Sequence, residues 1–504
     1  MTTYVTTTIP YVNAKPHLGF ALELVQADVL ARHRRQRGEE VRFLSGTDDN
    51  SLKNVLAAEA EGVPTQELVD RNAAAFEALR GPLALSFDDF IRTSRDPRHR
   101  PGVERFWRAC AAAGDLYRKH YEGLYCVGCE QFYVPAELRD GRCLEHDTEA
   151  HVVAEENWFF RLSRYQDQLR ELISTGQLRI EPAARRNEVL AFIEAGLTDF
   201  SISRSTARAR GWGIPVPDDA DQVIYVWWDA LGNYITALGY GDDGPDYHRW
   251  WVHGERRVHL LGKGVLRFHA VYWPAMLLSA GEPLPTDILV HDYLTVDGQK
   301  ISKSAGSAVD PVSFVERFGT DAVRWWLLRE VPRVGDADFT VEKLVARANS
   351  DLAGGLGNLV NRVVSMVHRY RDGVVPPTPV PRPAADPETV RDTGPGVWRA
   401  AADPDAVRAA LDGFDFRRAA AAAWGIVDEA NRYVERSQPW RLDGAALDAV
   451  LGGLVQACRI AAEQLAPFIP ETAARITAQC TPVNGRLPAP RPVFPRLTEE
   501  GAAT

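Results

Sequence analysis

Residues 3–9 and 41–46 (Val-Arg-Phe-Leu-Ser-Gly) read as short buried strands, and between them Ala21 to Arg37 carries apolar residues at helical spacing. This β-α-β opening predicts an α/β fold with helices packed on a parallel sheet. Strand-like runs return at Val223-Ile-Tyr-Val-Trp-Trp, Val258-His-Leu-Leu-Gly and Asp287-Ile-Leu-Val-His, so the sheet is interrupted by an insertion over roughly 115–220. That insertion closes on the breaker-rich Gly211-Trp-Gly-Ile-Pro-Val-Pro. Beyond about residue 345 the periodicity turns helical and continues to about 475. Pro376 to Pro387 reads as a linker inside that region, and Pro482 to Pro495 as a tail lying extended over the surface.

Composition narrows the class. A chain of 504 residues is too long for one ordinary core and predicts about two to four domains. With 45% hydrophobic and 25% charged residues it reads as globular and soluble. No apolar run is read as a membrane span, and the first residues lack the basic and apolar segments of a secretory signal; the expected location is the cytoplasm, with no membrane partner. The net charge of −10 argues against non-specific coating of nucleic acid. A local basic face remains open at Arg92-Thr-Ser-Arg95-Asp-Pro-Arg98-His99-Arg100, although such a stretch is more often a solvated loop.

Three short patterns carry chemistry. Pro16-His17-Leu18-Gly19-Phe20 opens the helix after the first strand, where Gly19 permits close approach of a nucleotide, His17 can donate to phosphate and the helix dipole favours an anion. Lys300-Ile301-Ser302-Lys303-Ser304 places two cations where they would grip a triphosphate as charge builds on the leaving pyrophosphate. The preceding Leu294-Thr-Val-Asp297-Gly298-Gln reads as strand and turn, which would project that loop from a sheet edge. Cys126-Val-Gly-Cys129 with Cys143-Leu-Glu-His146 has the count and paired spacing of a closed tetrahedral Cys₃His site, predicting one structural zinc ion.

Taken in this order and separation, the two phosphate-handling motifs resemble those of the class I aminoacyl-tRNA synthetases. The surrounding text, from Thr7-Thr8-Ile9-Pro10-Tyr11-Val12-Asn13 through Asn187-Glu188-Val189, Ser201-Ile-Ser-Arg204-Ser, Phe268-His269 and Trp273-Pro-Ala-Met to Pro439-Trp440, is similar to the methionyl-tRNA synthetases. The resemblance implies a Rossmann-type parallel-sheet catalytic domain, residues 1–115 and 221–305, split by a zinc-binding connective insertion, 116–220. A stem-contact region at 306–345, an α-helical anticodon-binding domain at 346–480 and a Pro-rich tail at 481–504 would follow.

It also implies roles for matched positions. His17, Gly19, Glu23, Lys300, Ser302 and Lys303 would bind ATP, with His17, Lys300 and Lys303 catalytic, and Arg204 would contact the adenylate. Ile9, Tyr11, Trp227, Ala230, Tyr234, Phe268, His269 and Trp273 would line the amino-acid pocket, and Asp48 would hold the ammonium. An aromatic box with one carboxylate suits an apolar or thioether amino acid. Asn358 and Arg362, four residues apart, share a helical face, and with Trp440 they would read an anticodon. The implied reaction joins L-methionine, or an analogue, to ATP with Mg²⁺ and passes the aminoacyl group to tRNA(Met), in a monomer. Two alternatives stand beside it: a paralogue that delivers an activated amino acid to a small acceptor without tRNA, and an inactive tRNA-binding regulatory protein.

Three positions depart from the family's pattern. Phe20 replaces a His or Asn, Asn50 in Gly46-Thr47-Asp48-Asp49-Asn50 replaces a His, and Gly264 in Gly262-Lys263-Gly264 replaces an Asp. Loss of one transition-state donor costs on the order of 3 kcal/mol, about a hundredfold in rate. Three such changes around the reactants predict an altered activation step.

Overall fold

The computed structural model describes residues 1–126, 131–133, 137–144, 148–296, 298–301, 310–377 and 395–502. The chain divides into two compact units. The first comprises Met1–Pro16, Arg34–Arg80 and Ser86–His291, and the second His17–His33, Gly81–Leu85 and Asp292–Thr504.

A six-stranded sheet, parallel throughout, organises the first unit. Its spatial order is Asp89–Arg92, Glu40–Thr47, Thr2–Thr7, Arg256–Gly262, Asp287–His291 and Arg179–Glu181. The strand Thr2–Thr7 lies near its middle, which is why it is enclosed along almost its whole length: Tyr4 and Val5 are fully buried, and so are the β-branched Thr3 and Thr6. The helices His99–Ala112, Val226–Thr236 and Trp273–Ala280 share a core in which Phe106 lies 5.5 Å, ring centre to ring centre, from both Trp228 and Trp273. A four-stranded antiparallel sheet, Gln131–Tyr133, Leu116–Cys126, His151–Phe160 and Phe200–Ser201, is built around one long hairpin.

The expected strands at 3–9, 41–46, Val258 and Asp287 are present. The run from Val223 to Trp228 is not a strand of the parallel sheet. Its first part ends the strand Asp219–Ile224, which pairs antiparallel with Ser203–Ser205, and its second part opens the helix Val226–Thr236. A continuous apolar run bears no periodicity that separates a buried strand from a buried helix. The edge strand Arg179–Glu181 comes from within residues 116–220 and joins the main sheet beside Asp287–His291. The basic stretch 92–100 is a partly exposed turn whose arginines are largely paired with acids, not a free cationic face. Arg92 and Arg95 bind Asp70, Arg98 binds Asp89, Asp96 and the carbonyl of Ala237, and His99 is fully buried.

In the second unit Leu294–Val296 pairs antiparallel with Gln299–Lys300 through a turn with Gly298 at φ 73°, and parallel with Ala337–Phe339. The expected strand and turn are therefore in place, with Lys300 on an edge. Helices follow from Pro311 to Cys480. Arg324, with no exposed surface, ties this unit together: it pairs with buried Asp28 at 2.8 Å and donates to the carbonyls of Leu83, Pro467 and Phe468. The helix Gly444–Leu465 is long and apolar enough to cross a membrane by length and composition alone. Its Leu447, Val450, Leu451, Leu454 and Leu465 are buried, as in a core helix. The Pro-rich segment after Thr481 is anchored rather than merely draped, because Leu487, Val493 and Phe494 are buried and the carbonyl of Pro488 lies 2.9 Å from His368 Nε2. Residues 378–387 of the expected linker lie outside the described residues.

Candidate active site

The first unit gathers the residues expected around an amino acid. Trp227 begins the helix Val226–Thr236, the only residue of that helix not classed as buried, and its ring stacks on Phe268 at 3.7 Å with 5° between planes. Tyr11 meets Trp227 edge-on at 6.3 Å. Two turns along the helix, the Tyr234 hydroxyl lies 2.8 Å from His269 Nε2, and Tyr4 fixes the same turn by donating to the Tyr234 carbonyl. His269 Nδ1 is 2.9 Å from the Val265 carbonyl, so that nitrogen carries the proton, and in a neutral ring Nε2 accepts from Tyr234. Ala230 is buried between these aromatic positions in the helix, and Ile9 packs against the core at the strand end. Trp273 is fully buried, like Tyr234, and the two rings lie 6.0 Å apart.

Asp48 follows the strand Glu40–Thr47 and is held against Tyr11 by an isolated parallel bridge. Only 2% exposed, its carboxylate accepts from the Asn50 backbone N–H at 3.2 Å. Two residues earlier, Gly46 allows its strand to close on the neighbouring strand Asp89–Arg92, since a Cβ there would stand 2.3 Å from the Ile91 carbonyl oxygen and 3.1 Å from Ile9.

Three residues in this region escaped the sequence reading. The Asp229 carboxylate accepts from Asn50 Nδ2 at 2.6 Å on one oxygen and pairs closely with His99 Nε2 on the other. His99 Nδ1 lies 2.8 Å from the Thr236 hydroxyl. His259 stacks against Tyr234 at 4.1 Å and accepts from the Trp273 indole N–H. Burial, followed by the nearby His269 and Arg257, holds its pKa well below the usual imidazole range. The available signal was Asp229 itself, an isolated carboxylate in an otherwise apolar helical run.

Among the phosphate-handling candidates, His17 caps its own helix: its Nδ1 accepts from the Gly19 N–H at 3.1 Å, which places the proton of a neutral ring on Nε2. A Cβ on Gly19 would meet that ring at 3.0 Å, so the glycine is what admits it. Phe20 is 8% exposed and Glu23 3%, both within the helix Leu18–Gln36. Ser302 and Lys303 lie outside the described residues, as does the Lys300 side chain.

Arg204, expected near the adenylate, is 7% exposed; it donates to Ser201 Oγ and the Ser203 carbonyl and its guanidinium covers the Tyr225 ring at 4.2 Å. Of the four zinc candidates, Cys126 and Cys143 are buried and share a neighbour: Thr148 Oγ1 is 3.5 Å from the Cys126 sulfur, and its carbonyl accepts from the Cys143 N–H. These contacts bring the Cys143 backbone and the Cys126 thiol to the same residue. Cys129 and His146 lie outside the described residues. In the helical unit, Asn358 is exposed at the start of Asn358–Arg371. Arg362, one turn on, is held by Glu435 at 2.8 Å and Asn431 at 3.3 Å. Trp440 is 48% exposed, which removes the core reading of that residue.

The family model described as tRNA synthetases class I (M) matches residues 3–136 and 129–364. A methionine–tRNA ligase of Brucella suis is 41% identical over 519 residues, covering 98% of each chain. That of Mycobacterium leprae is 41% identical over 522 residues, covering 98% of this chain and 94% of its own. This chain belongs to the methionyl-tRNA synthetase family. The Mycobacterium tuberculosis methionyl-tRNA synthetase in complex with methionyl-adenylate shares the fold at a TM-score of 0.90 and 40% identity, over 98% of this chain and all of that one.

Within that family the three departures separate. Asn50 is not a lost polar group: its carboxamide donates to Asp229, as an imidazole N–H would. Phe20 is a buried ring that supplies no donor, and Gly264 is exposed in the turn Lys263–Val265 after the strand Arg256–Gly262.

Proposed function

We propose that this chain activates L-methionine with ATP and transfers it to tRNA(Met). The methionine carboxylate, already ionised at neutral pH, attacks the α-phosphorus; the bond to the bridging oxygen breaks, and pyrophosphate leaves with Mg²⁺. A ribose hydroxyl of the tRNA then attacks the acyl carbon of the adenylate, and AMP departs. The observation that carries this reading is the stacked Trp227–Phe268 pair beside the enclosed Asp48 carboxylate: an apolar slot for the thioether and an anion for the ammonium. Tyr234 and His269 hold one another, which fixes the slot before substrate arrives.

His17 would donate through Nε2 to phosphate, with Gly19 and Glu23 on the same helix. Lys300 and Lys303 would neutralise the leaving pyrophosphate, Ser302 would donate a hydrogen bond to ATP, and Arg204 would face the adenylate. Asn358, Arg362 and exposed Trp440 would take the unstacked anticodon bases. One zinc ion held by Cys126, Cys129, Cys143 and His146 would brace the insertion; it takes no part in the reaction. A cytoplasmic monomer with the domain boundaries given above completes the proposal. The small-acceptor alternative is not favoured, since the relatives match this chain through its helical region as well.

Pyrophosphate exchange into ATP across a panel of amino acids tests the first step, and charging of a CAU-anticodon tRNA the second. Methionine-dependent exchange together with charging is expected. Exchange without charging overturns the tRNA step, and no exchange with methionine overturns the whole.

A further inference from the structure

We infer that His99 and Asp229 are positioning residues for the amino-acid site, acting through a buried hydrogen-bonded line that ends on the Asp48 carboxylate. The inference rests on the proposed role of Asp48. The line begins at Thr236, whose hydroxyl lies 2.8 Å from His99 Nδ1; His99 Nε2 then meets Asp229 Oδ1. The other Asp229 oxygen accepts from Asn50 Nδ2 at 2.6 Å, and the Asn50 backbone N–H donates to Asp48 Oδ1 at 3.2 Å. Thr236 and His99 have no exposed surface and Asp229 only 1%.

Two features make this more than a satisfied core. Asp229 and Thr236 lie on the helix that presents Trp227, Ala230 and Tyr234, while Asn50 and Asp48 lie on the loop that follows the strand Glu40–Thr47. The line therefore joins the apolar wall of the pocket to its anion through hydrogen bonds, beside the link made by Tyr11. Chemistry also fixes its direction. A carboxylate only accepts, so His99 must donate from Nε2 and Asn50 must present its amide nitrogen rather than its oxygen. Once Asn50 is held that way, its backbone N–H is aimed at Asp48. A hydrogen bond already made to the Asp48 carboxylate does not have to be reorganised when the ammonium binds.

The test uses the full chain in pyrophosphate exchange. His99→Phe keeps a ring and removes the donor; it is expected to raise the KM for methionine about tenfold or more, with the KM for ATP within about twofold of the parent. His99→Gln restores an N–H near the former Nε2 and is expected to recover most of that loss. Because the line acts through Asp48, His99→Phe added to Asp48→Asn is expected to cost little beyond Asp48→Asn alone. Asn50→Leu, at a half-buried position, removes the far end of the line and supplies the same KM reading should His99→Phe fail to fold. Equal behaviour of Phe and Gln at 99, an equal rise in both KM values, or additivity with Asp48→Asn overturns the inference. If Asp48→Asn itself leaves the methionine KM unchanged, it is the proposed role of Asp48 that fails.

Discussion

Tyr234, His269 and Asp48 are enclosed and hydrogen-bonded before any ligand is present, whereas Asn358 and Trp440 stand exposed on the helical unit and only Arg362 is tied down. The two regions use similar residue types for opposite ends. A small amino acid offers few atoms, so its site must be dry and built in advance to discriminate at all. An RNA base brings its own broad face and edge donors, so an accessible aromatic on a rigid scaffold is enough. The lesson is that exposure of Trp440 is as informative as burial of Tyr234.

The largest effect should come from the scaffold beneath the exposed surface. Arg324→Met leaves Asp28 without its fully buried partner and three carbonyls without a donor, and is expected to lower stability by about 3–5 kcal/mol, read as an earlier denaturation midpoint. If the midpoint holds, the helical unit does not depend on that hub. Next, Asp48→Asn should reduce kcat/KM for methionine on the order of a hundredfold in exchange, because a charge-assisted contact to the ammonium is lost. Trp440→Ala should leave exchange unchanged and reduce kcat/KM for tRNA charging about tenfold, the worth of one base stack. A fall in both assays would erase the distinction between pocket and surface.

The smallest effect lies in the surface-facing part of the first unit. Hydrogen bonds from Arg95, and then from Arg92, hold the Asp70 carboxyl well below the usual carboxylate range. A depressed folded pKa gives stability that is present above about pH 4 and is lost as the pH falls through the folded value. Asp70→Asn should therefore lower the thermal midpoint slightly at pH 7, with the gap to the parent closing in acid. Solvent screening keeps the effect to roughly 1 kcal/mol or less.

Much of this was legible in residue order. The strands Thr2–Thr7, Glu40–Thr47, Arg256–Gly262 and Asp287–His291 are legible from their short β-branched and apolar stretches: Tyr4 and Val5, Val41 with Phe43 and Leu44, Val258 with Leu260 and Leu261, and Ile288 to Val290. The strands Asp89–Arg92 and Arg179–Glu181 are not, being short, at the sheet edges and carrying charges that pair with neighbours. The candidate pocket was legible through resemblance, as a set. His99 and Asp229 were not, since the contact joins residues 130 apart and His99 hides within an apparently basic loop. Periodicity reports which face a residue takes, and says nothing about a partner brought in by tertiary folding.

Among the described residues Trp440 is the only tryptophan in the exposed class, although the chain has 13. A collisional quencher added to the intact protein would thus reach this indole ahead of those in the core. Shielding of that fraction of the emission on adding tRNA would give a built-in optical gauge of whether the proposed anticodon surface is occupied, without a label and without turnover.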